Sequence, residues 1–300
     1  MIALLAPGQG SQTPGMLAEW LALPGAADRV AGWSDISGLD LALLGTTATA
    51  EEITDTAVTQ PLVVATTLLA HEELTRRGLP AQTVVAGHSV GEISAYAIAG
   101  VISADDAVRL AAVRGSEMAK ACALEPTGMS AVLGGDEDEV LARLEALELI
   151  PANRNAAGQI VAAGAIAALE KLAEDPPAKA RVRQLATAGA FHTHFMGSAL
   201  DGYAAAAAEV SAGEPTTTLL SNVDGRPVAS AADAMDKLVA QLTRPVRWDL
   251  CMRTIGELGT TAIVEFPPAG TLTGIAKREL RGVATHAVKT PADLDGLTGI

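Results

Sequence analysis

The chain has 300 residues, 49% of them apolar, enough for one large domain or a large domain carrying a smaller insert. A formal charge of −14 excludes general binding to nucleic acid or an anionic membrane, because both partners need a basic field. The apolar runs are too short to span a bilayer, and Met1 to Ala6 has no basic flank and stops at Pro7-Gly8, so a cytoplasmic protein is expected.

Cys122 and Cys251 lack Cys-x-x-Cys spacing, which predicts two buried thiols and no metal site.

Ile2 to Ala6 reads as a buried strand, followed by the loop Pro7-Gly8-Gln9-Gly10-Ser11-Gln12 and a helix near Met16 to Leu21. The loop is not a dinucleotide fingerprint, since Thr13 stands where its third glycine belongs. Gln60-Pro61 opens a helix over Leu62 to Arg77, with Gly78 at its stop. His71, among Glu72, Glu73, Arg76 and Arg77, is expected in solvent.

Thr83 to Ala86 then reads as a strand and Ile93 to Ala99 as a helix, joined by Gly87-His88-Ser89-Val90-Gly91. Strand, sharp turn and helix are the context in which a Gly-x-Ser-x-Gly serine projects its hydroxyl above a sheet, so Ser89 is the candidate nucleophile. The alternative is a glycine-rich connector with an N-capping serine.

Ser103 and Asp106 form a helix-start box for Ala104 to about Cys122. Arg114 shares one helical stripe with Ala107, Leu110, Ala111 and Met118, so its guanidinium points inward. An inward arginine needs a carboxylate, either from another segment of the chain or from a substrate.

From Gly128 to Ala188 the pattern is strand, helix, two strands, helix, strand, which is the ferredoxin-like order. It predicts a small domain over 127–188 inserted into a catalytic domain made of 1–126 and 189–300. Ala190 to Met196 follows with His192 and His194, either of which is a candidate base. A helix over Leu200 to Val210, a strand over Thr217 to Asn222 and a helix over Asp233 to Leu242 come next. The chain closes with a strand over Ile263 to Phe266 and a helix over Leu272 to Leu280.

Taken together, Pro7 to Gln12, Thr59-Gln60-Pro61, Gly87 to Glu92, Arg114-Gly115 and His192 to Met196 resemble the malonyl-CoA:acyl-carrier-protein transacylases. Ser221 to Asp224, Gln241-Leu242, Pro245 to Trp248, Leu272-Thr273-Gly274 and Lys277-Arg278 extend the resemblance nearly end to end. This is the acyltransferase family of fatty-acid and polyketide synthesis. The resemblance implies an α/β-hydrolase-like core with a parallel sheet and a ferredoxin-like insert.

It implies Ser89 as nucleophile and His192, four residues before Met196, as base, oriented by the backbone carbonyl of Gln241. It further implies the Gln9 and Val90 N–H groups as oxyanion hole and Arg114 as clamp on the malonyl carboxylate. Gln60, Phe191 and Asn155 are the remaining candidate substrate contacts. Malonyl-CoA and acyl-carrier protein are the implied partners, with the coenzyme A thioester as substrate and no cofactor. Phe266-Pro267-Pro268-Ala269-Gly270 departs from the glycine-rich turn of relatives, which puts the shape of that rim in question.

An acidic chain that must meet phosphates needs a local basic rim. Arg247, Lys277 and Arg278, with Arg244 and Arg281 nearby, are the candidate docking residues, and Arg181 and Arg183 form a second bank. Two rival readings follow from the same residues. A serine esterase would take its base late in the chain, as His286, and a binding scaffold would keep the fold without turnover.

Overall fold

The computed structural model describes residues 1–78 and 83–297, so the last three residues of the expected catalytic segment lie outside the described residues. The strands are β1 (Ile2–Ala6), β2 (Thr83–Gly87), β3 (Thr127–Gly134), β4 (Ile150–Ala156), β5 (Gln159–Ala165), β6 (Ala180–Gln184), β7 (Thr218–Leu219), β8 (Ala262–Glu265) and β9 (Ala284–Ala287). The first helices are α1 (Ala26–Ser37), α2 (Leu41–Thr46), α3 (Thr56–Arg77), α4 (Gly91–Ile98) and α5 (Ala104–Cys122). They are followed by α6 (Glu137–Ala146), α7 (Ile166–Glu174), α8 (Leu200–Ala208), α9 (Ala231–Ala240), α10 (Trp248–Glu257) and α11 (Thr271–Glu279).

Five strands form an all-parallel sheet in the order β7-β2-β1-β8-β9. Every residue of β1 is buried, which is why Ile2 to Ala6 is continuously apolar instead of alternating. The chain runs outward from β1 through β2 on one side and through β8 on the other. A crevice therefore opens at the carboxyl ends of these central strands, where α/β sheets bind ligands.

The other four strands form an antiparallel sheet in the order β4-β5-β3-β6, with α6 and α7 completing the ferredoxin-like βαββαβ unit. It has its own apolar core, including Val132, Val140, Leu144, Ile160 and Leu172. The two sheets meet where Val246 N–H donates to Ala152 O at 2.8 Å and Arg154 N–H donates to Val246 O at 2.9 Å.

Helix α5 begins as its sequence predicts, with Ser103 Oγ accepting the Asp106 N–H at 3.0 Å. Elsewhere the structure corrects the reading. No α-helix covers Met16 to Leu21; turns lead instead into one 3₁₀ turn at Trp20–Ala22, whose tryptophan is fully buried. Helix α3 starts at Thr56, not near Pro61, because the Asp55 carboxylate caps the Ala57 N–H at 2.7 Å. Helices α1, α2 and α10 had no separate signal. The strand expected over Thr217 to Asn222 shortens to β7, since Ser221 and Asn222 turn away to serve the site described below. His71 is not a solvent residue: it packs edge-on against Phe266 at 5.8 Å, and burial lowers its pKa to about 4.

Candidate active site

Ser89 sits between β2 and α4 with a left-handed backbone, φ 55°, a conformation that costs a non-glycine residue about 1–3 kcal/mol. The flanking glycines are what make so tight a turn possible. A Cβ on Gly87 would lie 1.9 Å from Gly91 O, and one on Gly91 would lie 2.3 Å from Ala6 O. The Ser89 N–H donates to Asn222 Oδ1 at 2.8 Å, and Asn222 Nδ2 donates to Gly87 O at 2.7 Å. Among the described residues no acceptor takes the backbone N–H of Gln9 or Val90. A turn built this way leaves its hydroxyl and a free N–H available at the head of α4.

His192, the other site residue with positive φ (61°), is buried and places Nε2 2.7 Å from Ser89 Oγ. Its Nδ1 lies 3.1 Å from the backbone carbonyl of Gln241, so Nδ1–H donates there and Nε2 keeps a lone pair toward the serine. With that tautomer the Gln241 amide nitrogen, 3.0 Å from Nδ1, is a contact and not a bond. Desolvation, then the nearby Arg114 charge, lowers the His192 pKa to about 3. The imidazole is therefore neutral at pH 7 and ready to accept a proton.

Arg114 projects from α5 into the same space and is 2% exposed. Helices α3 and α5 approach closely here, since a Cβ on Gly115 would lie 2.7 Å from Thr56 O. That approach brings Arg114 Nη1 to Gln60 Oε1 at 2.8 Å, while Nη2 donates to Gln241 Oε1 at 3.0 Å. Both acceptors are neutral amides. No carboxylate among the described residues forms an ion pair with Arg114, so the structural ion pair that its stripe allowed is not what holds it. A buried guanidinium with spare donors and no counter-ion is suited to receive a carboxylate.

Ser89, His192 and Arg114 line one cavity of about 440 Å³ with Gln60, Phe191 and Asn155. Residues 4–292 match the acyl transferase domain family. The chain belongs to that family. The malonyl CoA-acyl carrier protein transacylase of Mycolicibacterium smegmatis is 79% identical over 287 residues, which span 94% of this chain and 99% of that one. The Mycobacterium tuberculosis protein of the same name is 74% identical over the full length of both chains.

Among solved structures, MCAT from Mycobacterium tuberculosis has a TM-score of 0.97 at 74% identity, covering 99% of each chain. A malonyl-transacylase in complex with its type II PKS acyl-carrier protein has a TM-score of 0.93 at 32% identity, covering 98% of this chain and 97% of that one.

Within this acyl transferase the other sequence candidates fall as follows. His194 is exposed and stacks on Phe195, whereas His286 lies on the edge strand β9, paired with Val264 and away from Ser89. Of these three histidines, His192 is the one within hydrogen-bond distance of Ser89 Oγ. Asn155 Oδ1 accepts the His88 Nε2–H at 2.8 Å, tying β4 to the serine turn.

Of the docking candidates, Arg247 is paired twice with Asp249, at 2.9 and 2.7 Å, and its charge is spent there. Arg278 donates to Gln159 at 2.7 Å, and Lys277 is exposed. The Phe266 to Gly270 rim is anchored from β8. The buried Glu265 carboxylate accepts the Gly270, Leu272 and Thr273 N–H groups at 2.8–2.9 Å and sets the start of α11.

Asn222, Glu92 and Gln241 stand in motifs the sequence reading quotes, but it assigns no contact to Asn222, to Glu92 or to the Gln241 side chain. Gln241 holds Arg114 with its amide and His192 with its carbonyl.

Proposed function

We propose that this protein moves a malonyl group from malonyl-CoA to the phosphopantetheine thiol of an acyl-carrier protein through a malonyl ester on Ser89. The observation that carries this is Arg114, buried without a counter-ion among the described residues in the cavity that holds the Ser89–His192 pair. It supports an acyl group that ends in a carboxylate.

His192 Nε2 takes the Ser89 proton as Oγ attacks the thioester carbonyl, and the Gln9 and Val90 N–H groups receive the oxyanion. Collapse breaks the C–S bond, and the proton on His192 passes to the departing coenzyme A sulfur. The carrier thiol then gives its proton to His192 and attacks the ester, and Ser89 recovers its proton as the product thioester forms. Each half-reaction balances without a redox equivalent. Gln241 orients His192 through its carbonyl throughout. Arg114, with Gln60, Phe191 and Asn155 around it, fixes the acyl group and disfavours chains without a carboxylate.

For the carrier, the sheet register supplies a surface. Ala131 lines the cavity, and its cross-strand neighbour Arg183 shares that face, as does the next pair along, Leu133 and Arg181. Arg181 and Arg183 on β6, with Lys277 and Arg278 on α11, make the rim that an acidic carrier would meet. Arg247 is the weakest member, given its Asp249 pairing. We also read 127–188 as an inserted small domain and 1–126 with 189–300 as the catalytic domain. We place the reaction in the cytoplasm, to which the two free thiols, Cys122 and Cys251, are suited.

The test is intact mass after incubation with malonyl-CoA and then with carrier protein. Wild type should gain one malonyl group and lose it to the carrier, and Ser89→Ala should gain none. A stable malonyl adduct on Ser89→Ala would overturn the reading.

A further inference from the structure

Glu92 has no part in the steps above, yet it is 0% exposed and lies one helical turn beyond the nucleophile. Its Oε1 accepts the Asn222 N–H at 2.7 Å. Asn222 in turn clasps the serine turn on both sides of His88, accepting from Ser89 N–H and donating to Gly87 O. The Asn222 carbonyl accepts the Arg247 N–H at 2.8 Å, so this residue is fixed at its own N–H, side chain and carbonyl.

We infer that Glu92 and Asn222 are positioning residues for acyl transfer, holding the left-handed Ser89 backbone so that Oγ meets His192 and the Val90 N–H faces the reacting carbonyl. The inference rests on Ser89 being the nucleophile. The reason is geometric. A residue at φ 55° relaxes unless its surroundings over-determine it, and the Ser89 N–H has Asn222 as its partner. Relaxation there would turn the following peptide, which carries the Val90 N–H, and swing Oγ away from His192.

An aspartate at 222 would set an acceptor against Gly87 O in place of the donor. A glutamine at 92 would still accept from Asn222. Burial supports the same choice of variant, because it raises the Glu92 pKa to about 8 and leaves the group neutral at pH 7. The Ser221 hydroxyl is close by, although Oε2 makes no well-formed hydrogen bond.

The experiment is single-turnover acylation by malonyl-CoA for wild type, Glu92→Gln, Glu92→Ala, Asn222→Asp and Ser89→Ala, each checked for folding by thermal melting. Glu92→Ala and Asn222→Asp should acylate about 10²-fold more slowly, the cost of a misplacement near 1 Å. Their KM for malonyl-CoA should stay within about threefold of wild type, because Arg114 and Gln60 are untouched. Glu92→Gln should restore the rate to within about threefold of wild type, because it keeps the acceptor for the Asn222 N–H.

If Glu92→Ala fails to fold, Asn222→Asp against Glu92→Gln carries the test. Wild-type acylation by Asn222→Asp, a deficit confined to KM, or a Glu92→Gln as slow as Asn222→Asp each overturns the inference. The Ser89→Ala control separates such a failure from failure of the nucleophile assignment.

Discussion

The two sheets contribute to one cavity in different ways. The parallel sheet and its helices bring Ser89 after β2 and Arg114 from α5, with Gln241 after α9 behind them, and His192 meets them from the return segment between β6 and α8. The antiparallel sheet brings a wall of Met129, Ala131 and Val161 with the amides Asn153, Asn155 and Gln159. The difference follows from what each architecture can hold. Strained turns such as those of Ser89 and His192 persist only where buried neighbours fix them from several sides, and the parallel core supplies those neighbours. A pleated strand instead presents alternate side chains at even spacing, a surface suited to lying along a substrate. Chemistry should thus fail through one sheet, and recognition should shift through the other.

The largest effect expected is on His192. His192→Ala should lower malonyl transfer by about 10⁴-fold with little change in KM, since a base that activates the nucleophile is at the top of the general-base range. Asn155→Ala, on the opposing wall, should act mainly on KM. Steady-state kinetics of both variants checks this, and a comparable kcat loss in Asn155→Ala would break the division between sheets. The same histidine should set an acid limit on stability. Its pKa falls from 6.5 to about 3 on folding, so between those values the unfolded chain binds the proton that the folded chain refuses. Stability contributed in this window is lost as pH falls, and His192→Gln should flatten that part of a plot of melting temperature against pH.

Next comes Arg114. Arg114→Ala removes the group that would meet the substrate carboxylate, an interaction worth about 2–5 kcal/mol when buried, so malonyl kcat/KM should fall by roughly 30- to 5,000-fold. Acetyl transfer should rise relative to malonyl transfer, as the remaining surface around Met118 and Phe191 is apolar. Measured rates on the two thioesters decide it. An unchanged preference would mean that Gln60 and Gln241 hold Arg114 for packing alone.

What the sequence revealed of this site depended on how local the determining contacts are. The Ser89 turn was legible because its strand, glycines and helix are contiguous, and the Ser103 cap because its partner is three residues away. The position of Arg114 was legible from helical spacing, but not its partners, which come from residues 54 and 127 positions away in the chain. Glu92 lay inside the recognised motif, yet its contact is Asn222, 130 residues on, and no periodicity signals that. His71 was misread for the same reason: its neighbours in sequence are charged, while its neighbour in space is Phe266. The antiparallel unit was read almost whole, because a ferredoxin-like order is written in consecutive short elements.

The smallest effect expected asks which sheet the carrier touches. Lys277 and Arg278 belong to the helix of the parallel core, and Arg181 and Arg183 to the edge strand of the antiparallel sheet. None of the four forms an ion pair among the described residues, so their charge is available to a partner. Reversing either bank, as Lys277→Glu with Arg278→Glu or as Arg181→Glu with Arg183→Glu, should raise the carrier KM by about 10-fold at low ionic strength, through slower encounter. The increase should shrink as added salt shortens the screening length. Acylation of Ser89 by malonyl-CoA should change less than transfer to the carrier. Because Arg278 also holds Gln159, Lys277→Glu alone serves as the control that leaves this contact between the sheets intact. Initial rates against carrier concentration at two ionic strengths measure all of this. An increase from both banks would show the carrier bridging the sheets, and an increase from one alone would place it on that side. Identical curves for all variants would move the docking surface away from this rim altogether.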